Sequence, residues 1–326
     1  MPHCGEVGVT TLTSRRPREK GVMSIRKLVI AAVASVILAA AAIAVIAVVV
    51  QPASPKQTDN ERPVSSVEAP NGTTAGTTPT STGMVFVASS TPTGNFLTEM
   101  STRDGKRTHK MELEGTGATT SIAVSGHQVC VGFDGQDHGG LLSCFDNRST
   151  THTTSWVAPG AVLDANGRND GVGFDLLVDE GGQKFGVTVR LNEATNTFAV
   201  TRHTKLPSSA ISLVALANGS TFYSLGSDGV ISSVDATSGS IRFTVPTNSG
   251  ATRLAISNDE TRLYALVHDN TTSRVDVIAV VSGKVVSTIK AAPDVNWILP
   301  TIDNARLVEF AGTPSSGSIE QYRFLS

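Results

Sequence analysis

From Met84 onward, apolar and polar residues alternate in short runs that end at Gly, Asn, Asp, Ser or Thr. A period of two residues is typical of strands with one buried face, and no stretch keeps helical periodicity for three turns. Two segments, Ser227–Val245 (SDGVISSVDATSGSIRFTV) and Thr272–Ile289 (TSRVDVIAVVSGKVVSTI), share the order strand, small-residue turn, strand. The pattern therefore predicts an all-β domain in which a hairpin is repeated.

The hairpin recurs at a nearly constant distance along the chain. Its turns are 45, 46, 43 and 44 residues apart and fall at Gly105, Thr150, Asn196, Gly239 and Gly283. The fullest unit predicts four strands, at Arg253–Ile256, Arg262–Val267, Arg274–Val280 and Lys284–Ile289. Four antiparallel strands per repeat form the blade of a β-propeller, whereas a β-sandwich would not produce so even a period.

Six such units fit between Met84 and Ser326, and a seventh, degenerate blade is the alternative. The first unit lacks an innermost strand, and the last unit ends before its outermost strand. Propellers remove exposed sheet edges by completing one blade with strands from both ends of the chain. We therefore expect Val64–Glu68 or Thr80–Gly83 to supply a missing strand.

A different pattern precedes the repeats. Leu28–Val50 is a run of 23 apolar or small residues without a charge, which is long enough to cross a bilayer as one helix. Residues 1–27 carry six Lys or Arg against two acids, which predicts a cytoplasmic tail and an external C-terminal part. A cleaved signal peptide, with Met23 as the start of the chain, is the alternative, although its apolar region is usually shorter.

Composition completes the predicted domain organisation. Residues 51–83 are rich in Pro, Thr and Ser, which predicts a flexible, disordered linker. The chain is thus divided into a short basic cytoplasmic tail (1–27), a transmembrane helix (28–50), the linker (51–83) and an extracytoplasmic propeller (84–326). It is expected to cross the cell membrane once, through Leu28–Val50.

The propeller region is mildly acidic. It carries 18 Lys or Arg against 23 Asp or Glu, so it lacks the excess of basic residues with which nucleic-acid-binding domains contact phosphates. We therefore expect no nucleic-acid partner.

Two cysteines fall in the propeller region. Cys130 and Cys144 lie in apolar runs joined by DGQDHGG, which predicts that they occupy neighbouring antiparallel strands. Disulfides persist outside the cytoplasm, so the predicted location favours a disulfide over two buried thiols.

The segment TRLAISNDETRLYALVHDNTTSRVDVIAVVSGKVVSTI resembles the repeat of YVTN-type bacterial propellers, with its turn-strand and its hairpin before Gly-Lys-Val-Val. GSDGVISSVDATSGSIRFTV resembles the related PQQ-type repeat. The resemblance implies a bacterial β-propeller, and some YVTN-like relatives are lactonases. PQQ-type repeats often place a Trp between blades, and this Trp has no counterpart here, since Trp156 and Trp297 lie at other positions of the repeat. No cofactor is therefore predicted.

The candidate chemistry of the repeats is mostly that of turns. Asp side chains bond nearby amides in turns and Gly adopts positive φ, which assigns structural roles to Asp228, Gly229, Asp235, Gly239 and Gly283. The histidines form no close-spaced ligand pair. The loop from Asp164 to Asp170 has calcium-like spacing, but Arg168 stands at its fifth position, so no metal site is predicted.

No catalytic set can be assigned from sequence, because the chain contains no G-x-S-x-G, H-E-x-x-H or Walker motif. The expected function is a binding or scaffolding module at the cell envelope, with an envelope protein or a small ligand as partner. The alternative is a lactonase-like or other hydrolase with its site in the propeller channel. Carboxylates and histidines converging at one mouth of the channel would favour the hydrolase, and an apolar or mixed polar channel would favour binding.

Overall fold

The computed structural model describes residues 56–58, 65–77, 83–115, 117–135, 139–149, 151–168, 170–247, 250–269, 272–313 and 316–323. The chain divides into two units, residues 1–54 and 55–326, and every described residue belongs to the second. The predicted helix Leu28–Val50 lies outside the described residues. Within the described ranges, no helix is long and apolar enough to cross a membrane.

The second unit is a six-bladed β-propeller, which confirms the predicted all-β propeller and its six blades. Each blade contains a four-stranded antiparallel sheet, ordered from the innermost strand at the propeller axis to the outermost strand at the periphery. In that order, blade I comprises β3 (Thr73–Gly76), β4 (Met84–Thr91), β5 (Gly94–Ser101) and β6 (Arg107–Glu112). Blade II comprises β7 (Thr119–Ser125), β8 (Gln128–Phe133), β9 (Leu141–Asp146) and β10 (His152–Val157). Blade III comprises β11 (Ala161–Gly167), β12 (Gly173–Glu180), β13 (Gln183–Asn192) and β14 (Thr197–Lys205).

The remaining blades follow the same order, and the innermost strands of successive blades are neighbours around the whole ring. Blade IV comprises β15 (Ala210–Ala215), β16 (Thr221–Gly226), β17 (Val230–Asp235) and β18 (Ile241–Pro246). Blade V comprises β19 (Ala251–Ile256), β20 (Arg262–His268), β21 (Ser273–Ala279) and β22 (Lys284–Ala291). Blade VI comprises β23 (Val295–Pro300), β24 (Arg306–Thr313), β25 (Ser316–Arg323) and β2 (Ser65–Glu68).

The predicted hairpin turns fall between the two outer strands of successive blades. Gly105, Asn196, Gly239 and Gly283 have φ values of 70°, 52°, 72° and 62°. This left-handed conformation is open to Gly and, among other residues, most readily to Asn, which explains why these residue types recur at the repeat period. The four strands predicted for the fifth unit correspond to β19–β22.

The ring closes with strands from the range that we assigned to a linker. Ser65–Glu68 pairs antiparallel with β25 as the outermost strand of blade VI. The innermost strand of blade I is Thr73–Gly76, rather than Thr80–Gly83. The propeller therefore includes residues before Met84, because Val67 packs against the core and Ala69 and Ala75 are fully buried.

A further short strand, β1 (Lys56–Thr58), lies outside the ring of four-stranded blades. It pairs in parallel with β22 and makes blade V five-stranded. It also lies in the predicted linker, so part of that range is held against the propeller.

The predicted disulfide is present in blade II. Cys130 on β8 and Cys144 on β9 are directly opposite each other in the sheet and are joined by a disulfide bond. Both are fully buried among apolar side chains between blades II and III.

Candidate functional site

All six innermost strands carry a β-bulge at the same position. In each strand one extra residue interrupts the pairing with the second strand of the blade. The extra residues are Thr74, Thr120, Leu163, Ile211, Thr252 and Asn296. Bulges bend strands and redirect side chains, and in this propeller they set the direction of the residues that follow at the axis.

Three of the residues that follow a bulge meet at the axis. Arg253 of blade V places Nη1 3.2 Å from Oδ1 of Asp164 in blade III. Its guanidinium carbon lies 4.0 Å from the ring centroid of Trp297 in blade VI, a cation–π distance. Arg253 Nη2 also points to the carbonyl of Thr120 in blade II, at 3.5 Å. One side chain thus connects blade V to blades II, III and VI.

The carboxylate of Asp164 is held by further hydrogen bonds. Ser212 Oγ and the Leu213 amide donate to its Oδ2, at 2.7 and 2.9 Å. Ser212 Oγ in turn accepts from the Leu254 amide at 3.0 Å. The carboxylate of this buried ion pair is thus satisfied by hydrogen bonds, whereas Nε and Nη1 of Arg253 make no hydrogen bond. Asp164 therefore has a structural partner in Arg253, and its place in the strand does not fit a calcium loop.

A cavity of about 460 Å³ opens where the six innermost strands end. The side of the propeller on which the innermost strands end is called the channel-mouth face. The cavity on that side is called the mouth cavity. Its large apolar side chains are those of Phe86, Ile122, Val124, Leu216, Ile256, Trp297, Leu299 and Ile302. Its large polar side chains are those of Asn147, Asn166, Arg168, Asp175, Asn258 and Glu260. A concave pocket of this size, lined by apolar side chains and several polar groups, is typical of a binding site.

Polar groups at the rim of the mouth cavity join neighbouring blades. Asn166 Nδ2 donates to the carbonyl of Leu213 at 2.7 Å, which joins blades III and IV. Asn258 Nδ2 donates to the carbonyl of Ile302 at 3.2 Å, which joins blades V and VI. Glu260 accepts a hydrogen bond from the amide of Ala217. These bonds hold the rim in one arrangement and leave the apolar surface of the cavity open.

The wall of the mouth cavity in blade III contains a second buried ion pair. Arg168 Nη1 lies 2.9 Å from Oδ2 of Asp175, whose Oδ1 accepts from Thr188 Oγ1 at 2.6 Å. Burial raises the pKa of Asp175, and the Thr188 hydrogen bond and the Arg168 charge oppose that shift. The pair is part of the wall and is already neutralised, so it supplies no free nucleophile or base.

The residues that sequence reasoning singled out lie in turns. Asp228 Oδ1 accepts from the amide of Val230, and Asp235 Oδ1 accepts from the amides of Thr237 and Ser238. Gly229 has a φ of 75° and, like Gly239 and Gly283, forms a hairpin turn. None of these five residues lines the mouth cavity.

The mouth cavity does not have the composition that would favour a hydrolase. Of the residues that the structure describes, no histidine lines it, and the two carboxylates that do, Asp175 and Glu260, are engaged as described. Among the described residues, no group of three His, Cys, Asp or Glu could hold a metal ion. The arrangement can bind an apolar group in a rigid pocket.

Sequence reasoning missed Asp164, Arg253 and Trp297 as a group. Only their positions in the repeat could have indicated this group, since each residue lies two or three residues after the start of an innermost strand. Their contact depends on the order and closure of the blades, which the repeat does not encode locally.

Comparisons with known proteins support the fold and nothing finer. No family model and no curated protein matches the chain. Among solved structures, it is similar to the β-propeller domain of Cps50 (Swd1) from Myceliophteria thermophila, with a TM-score of 0.55 and 11% identity. The similarity covers 81% of this chain and 99% of that chain. It shows that both are β-propellers, while the YVTN or PQQ repeat type stays a prediction.

Proposed function

We propose that this protein is a membrane-tethered β-propeller that acts as a binding or scaffolding module at the cell envelope. Leu28–Val50 is its single membrane span, residues 1–27 are cytoplasmic, and the propeller lies outside. An envelope protein that inserts an apolar group into the mouth cavity is the proposed partner.

The observation that carries the binding function is the mouth cavity itself. Its lining combines apolar side chains with polar groups, and hydrogen bonds between neighbouring blades join parts of its rim. Binding to a pocket that is already formed avoids the cost of ordering it. Val124 and Ile302 are 38% and 60% exposed at this cavity, although both are large apolar side chains.

The tether and the location are supported by separate observations. A run of 23 residues without a charge, preceded by six basic side chains, has the length and the charge asymmetry of a single-pass anchor. The disulfide between Cys130 and Cys144 supports an oxidising compartment outside the cytoplasm.

Photocrosslinking in intact cells tests the binding site. A photoreactive amino acid at Ile302, beside the mouth cavity, is expected to give a discrete adduct with an envelope protein. The same group at Val200, 50% exposed on the outer strand of blade III, is the matched control and is expected to give none. Leu216→Gln in the cavity wall should weaken the Ile302 adduct several-fold, and an adduct indifferent to this substitution would contradict binding in the cavity.

The alternative function, a hydrolase acting in the channel, is distinguished by a direct assay. The purified chain is expected to leave a panel of lactones at their uncatalysed rate of hydrolysis. Turnover that is lost on Asn258→Ala, a substitution at the cavity rim, would support the hydrolase instead.

A further inference from the structure

The asparagines of the mouth cavity present hydrogen-bond acceptors. Asn166 and Asn258 each donate Nδ2 to a backbone carbonyl of the neighbouring blade. Asn147 Nδ2 donates to the carbonyl of Gly126 at 3.4 Å. A carbonyl only accepts, so the bonded atom of each amide is its nitrogen, and the oxygen is the atom left over. Within the described part of the chain, none of these three amide oxygens accepts a hydrogen bond.

Glu260 adds a negative charge to these acceptors. Its Oε1 accepts from the Ala217 amide, and its Oε2 has no partner among the described residues. The basic side chain of the lining, Arg168, is already neutralised, since its Nη1 lies 2.9 Å from Asp175 Oδ2 and its Nε 3.4 Å from Asp170 Oδ2. Of the described charged residues that line the cavity, Glu260 is therefore the one without an oppositely charged partner.

The backbone places Glu260 where most side chains are disfavoured. It lies two residues before the second strand of blade V, in a turn on the channel-mouth face, and its φ is 58°. The residues at the same point of blades II, III, IV and VI are Gly126, Gly171, Gly219 and Asn304, which also have positive φ. Gly and Asn adopt this conformation most readily. Among these five blades, blade V alone carries a long charged side chain there, at a conformational cost that Gly or Asn would reduce.

We propose that the mouth cavity binds an arginine side chain of the partner protein. This inference rests on the proposed function, in which the cavity receives an apolar group, and it assigns that group to the stem of the arginine. The stem packs on apolar side chains such as Leu216, next to the Ala217 amide that binds Glu260, and Ile256 of the same blade as Glu260.

The charged end of an arginine complements the polar lining. A guanidinium has five N–H donors and no acceptor, so it can bond the free oxygen of Glu260 and the amide oxygens of the asparagines together. Lysine carries the same charge, but its compact ammonium has three donors and is more strongly hydrated. We therefore expect arginine to bind more tightly than lysine.

Crosslinking of short peptides tests the assignment. The full chain, purified in detergent with the photoreactive amino acid at Ile302, is mixed with Gly-Arg-Gly, Gly-Lys-Gly or Gly-citrulline-Gly, each with N-terminal biotin and a C-terminal amide. Citrulline has the length and stem of arginine without its charge. We expect the arginine peptide to reach half-maximal adduct at a concentration roughly tenfold lower than the citrulline peptide. The photoreactive group at Val200 is the control position and should give no saturable adduct.

A substitution at Glu260 separates its charge from its structural bond. Glu260→Gln keeps an oxygen for the Ala217 amide and removes the negative charge. It is expected to bring the half-maximal concentrations of the arginine and citrulline peptides close together. Glu193→Gln removes an exposed carboxylate from a turn of blade III that does not line the cavity, and it should leave the preference for arginine unchanged.

The outcomes separate this inference from the binding function. No adduct with the arginine peptide, equal binding of arginine and citrulline, tighter binding of lysine, or a preference that survives Glu260→Gln would each overturn the inference. If the Ile302 adduct still forms in intact cells and is weakened by Leu216→Gln, the binding function stands and another group occupies the cavity. Absence of the cellular adduct contradicts the binding function itself.

Discussion

At the scale of single residues, Glu309 is a carboxylic acid placed where a charge is costly. It lies on β24 with no exposed surface, and its Oε2 accepts from the Ala292 amide at 2.9 Å. Burial raises the pKa of Glu309 to about 8, the hydrogen bond opposes the shift, and the charge of Glu320 on β25 adds to it. The group is therefore largely neutral at pH 7 and becomes a buried charge above pH 8.

This shift predicts a loss of stability as the pH rises from about 4.5 to about 8. The pKa of Glu309 is higher in the folded protein than the ordinary value of 4.5, so the folded state binds the proton more tightly. The stability that this proton contributes is fully present below the ordinary pKa and is lost as the pH rises through about 8. We expect the urea midpoint of the wild type to fall between pH 6 and pH 8, and Glu309→Gln to remove most of that fall. Glu193→Gln, in an exposed turn, is the control and should follow the wild type.

The ion pair at the axis gives a second prediction for individual residues. Asp164 and Arg253 have side chains only 3% and 15% exposed, so removing one partner leaves the other charged and buried. We expect Asp164→Asn to lower the free energy of unfolding by about 3 kcal/mol. Arg253→Met keeps an apolar stem beside Trp297, and the double variant should lose less than the sum of the single losses.

Urea unfolding followed by tryptophan fluorescence measures these losses, because Trp297 contacts Arg253 directly. Arg148→Met is a suitable control. Arg148 pairs with Asp146 at the surface, with 66% of its side chain exposed, and its removal should leave the midpoint unchanged. Strictly additive losses at Asp164 and Arg253 would show that the two residues do not interact.

At the scale of strands and turns, the sequence was sufficient to predict an element wherever the residue type determines the backbone conformation. Gly239 and Gly283 adopt positive φ, which most side chains resist, so their spacing exposed the repeat. The strands followed from alternation of apolar and polar residues. The bulges could not be predicted in this way, because only three of the six extra residues are Thr and the others are Leu163, Ile211 and Asn296.

The mouth cavity was equally inaccessible to local reasoning. Asn166 and Asn258 look like ordinary strand-end residues in sequence, and only the neighbouring blade shows what each one bonds. Asp164 attracted attention as an oxygen ligand because its spacing resembled a calcium loop. In the folded chain its partner is Arg253, two blades away.

At the scale of the whole molecule, the sequence period predicted the number of blades, while closure depended on a short segment of unremarkable composition. β2 contributes only four residues, Ser65–Glu68, and lies among Pro, Ser and Thr. Its role is visible only with the C-terminal strand beside it, since Val67 pairs with Ile319 and packs against the core between blades VI and I. Without β2, β25 would present an open edge.

Closure predicts unequal effects for two neighbouring residues of β2. Val67 packs against the core, whereas Ser66 is exposed on the other face of the strand. We expect Val67→Asn to lower the free energy of unfolding by about 1–2 kcal/mol through lost apolar burial, and Ser66→Asn to change it little.

Deleting residues 65–68 should have a larger effect, because it removes the whole strand and leaves the β25 edge free to pair with another molecule. Urea midpoints measure the two substitutions, and light scattering of the deletion variant measures association. If Val67→Asn and Ser66→Asn proved equally mild and the deletion variant stayed monomeric with an unchanged midpoint, β2 would not be the strand that closes the ring.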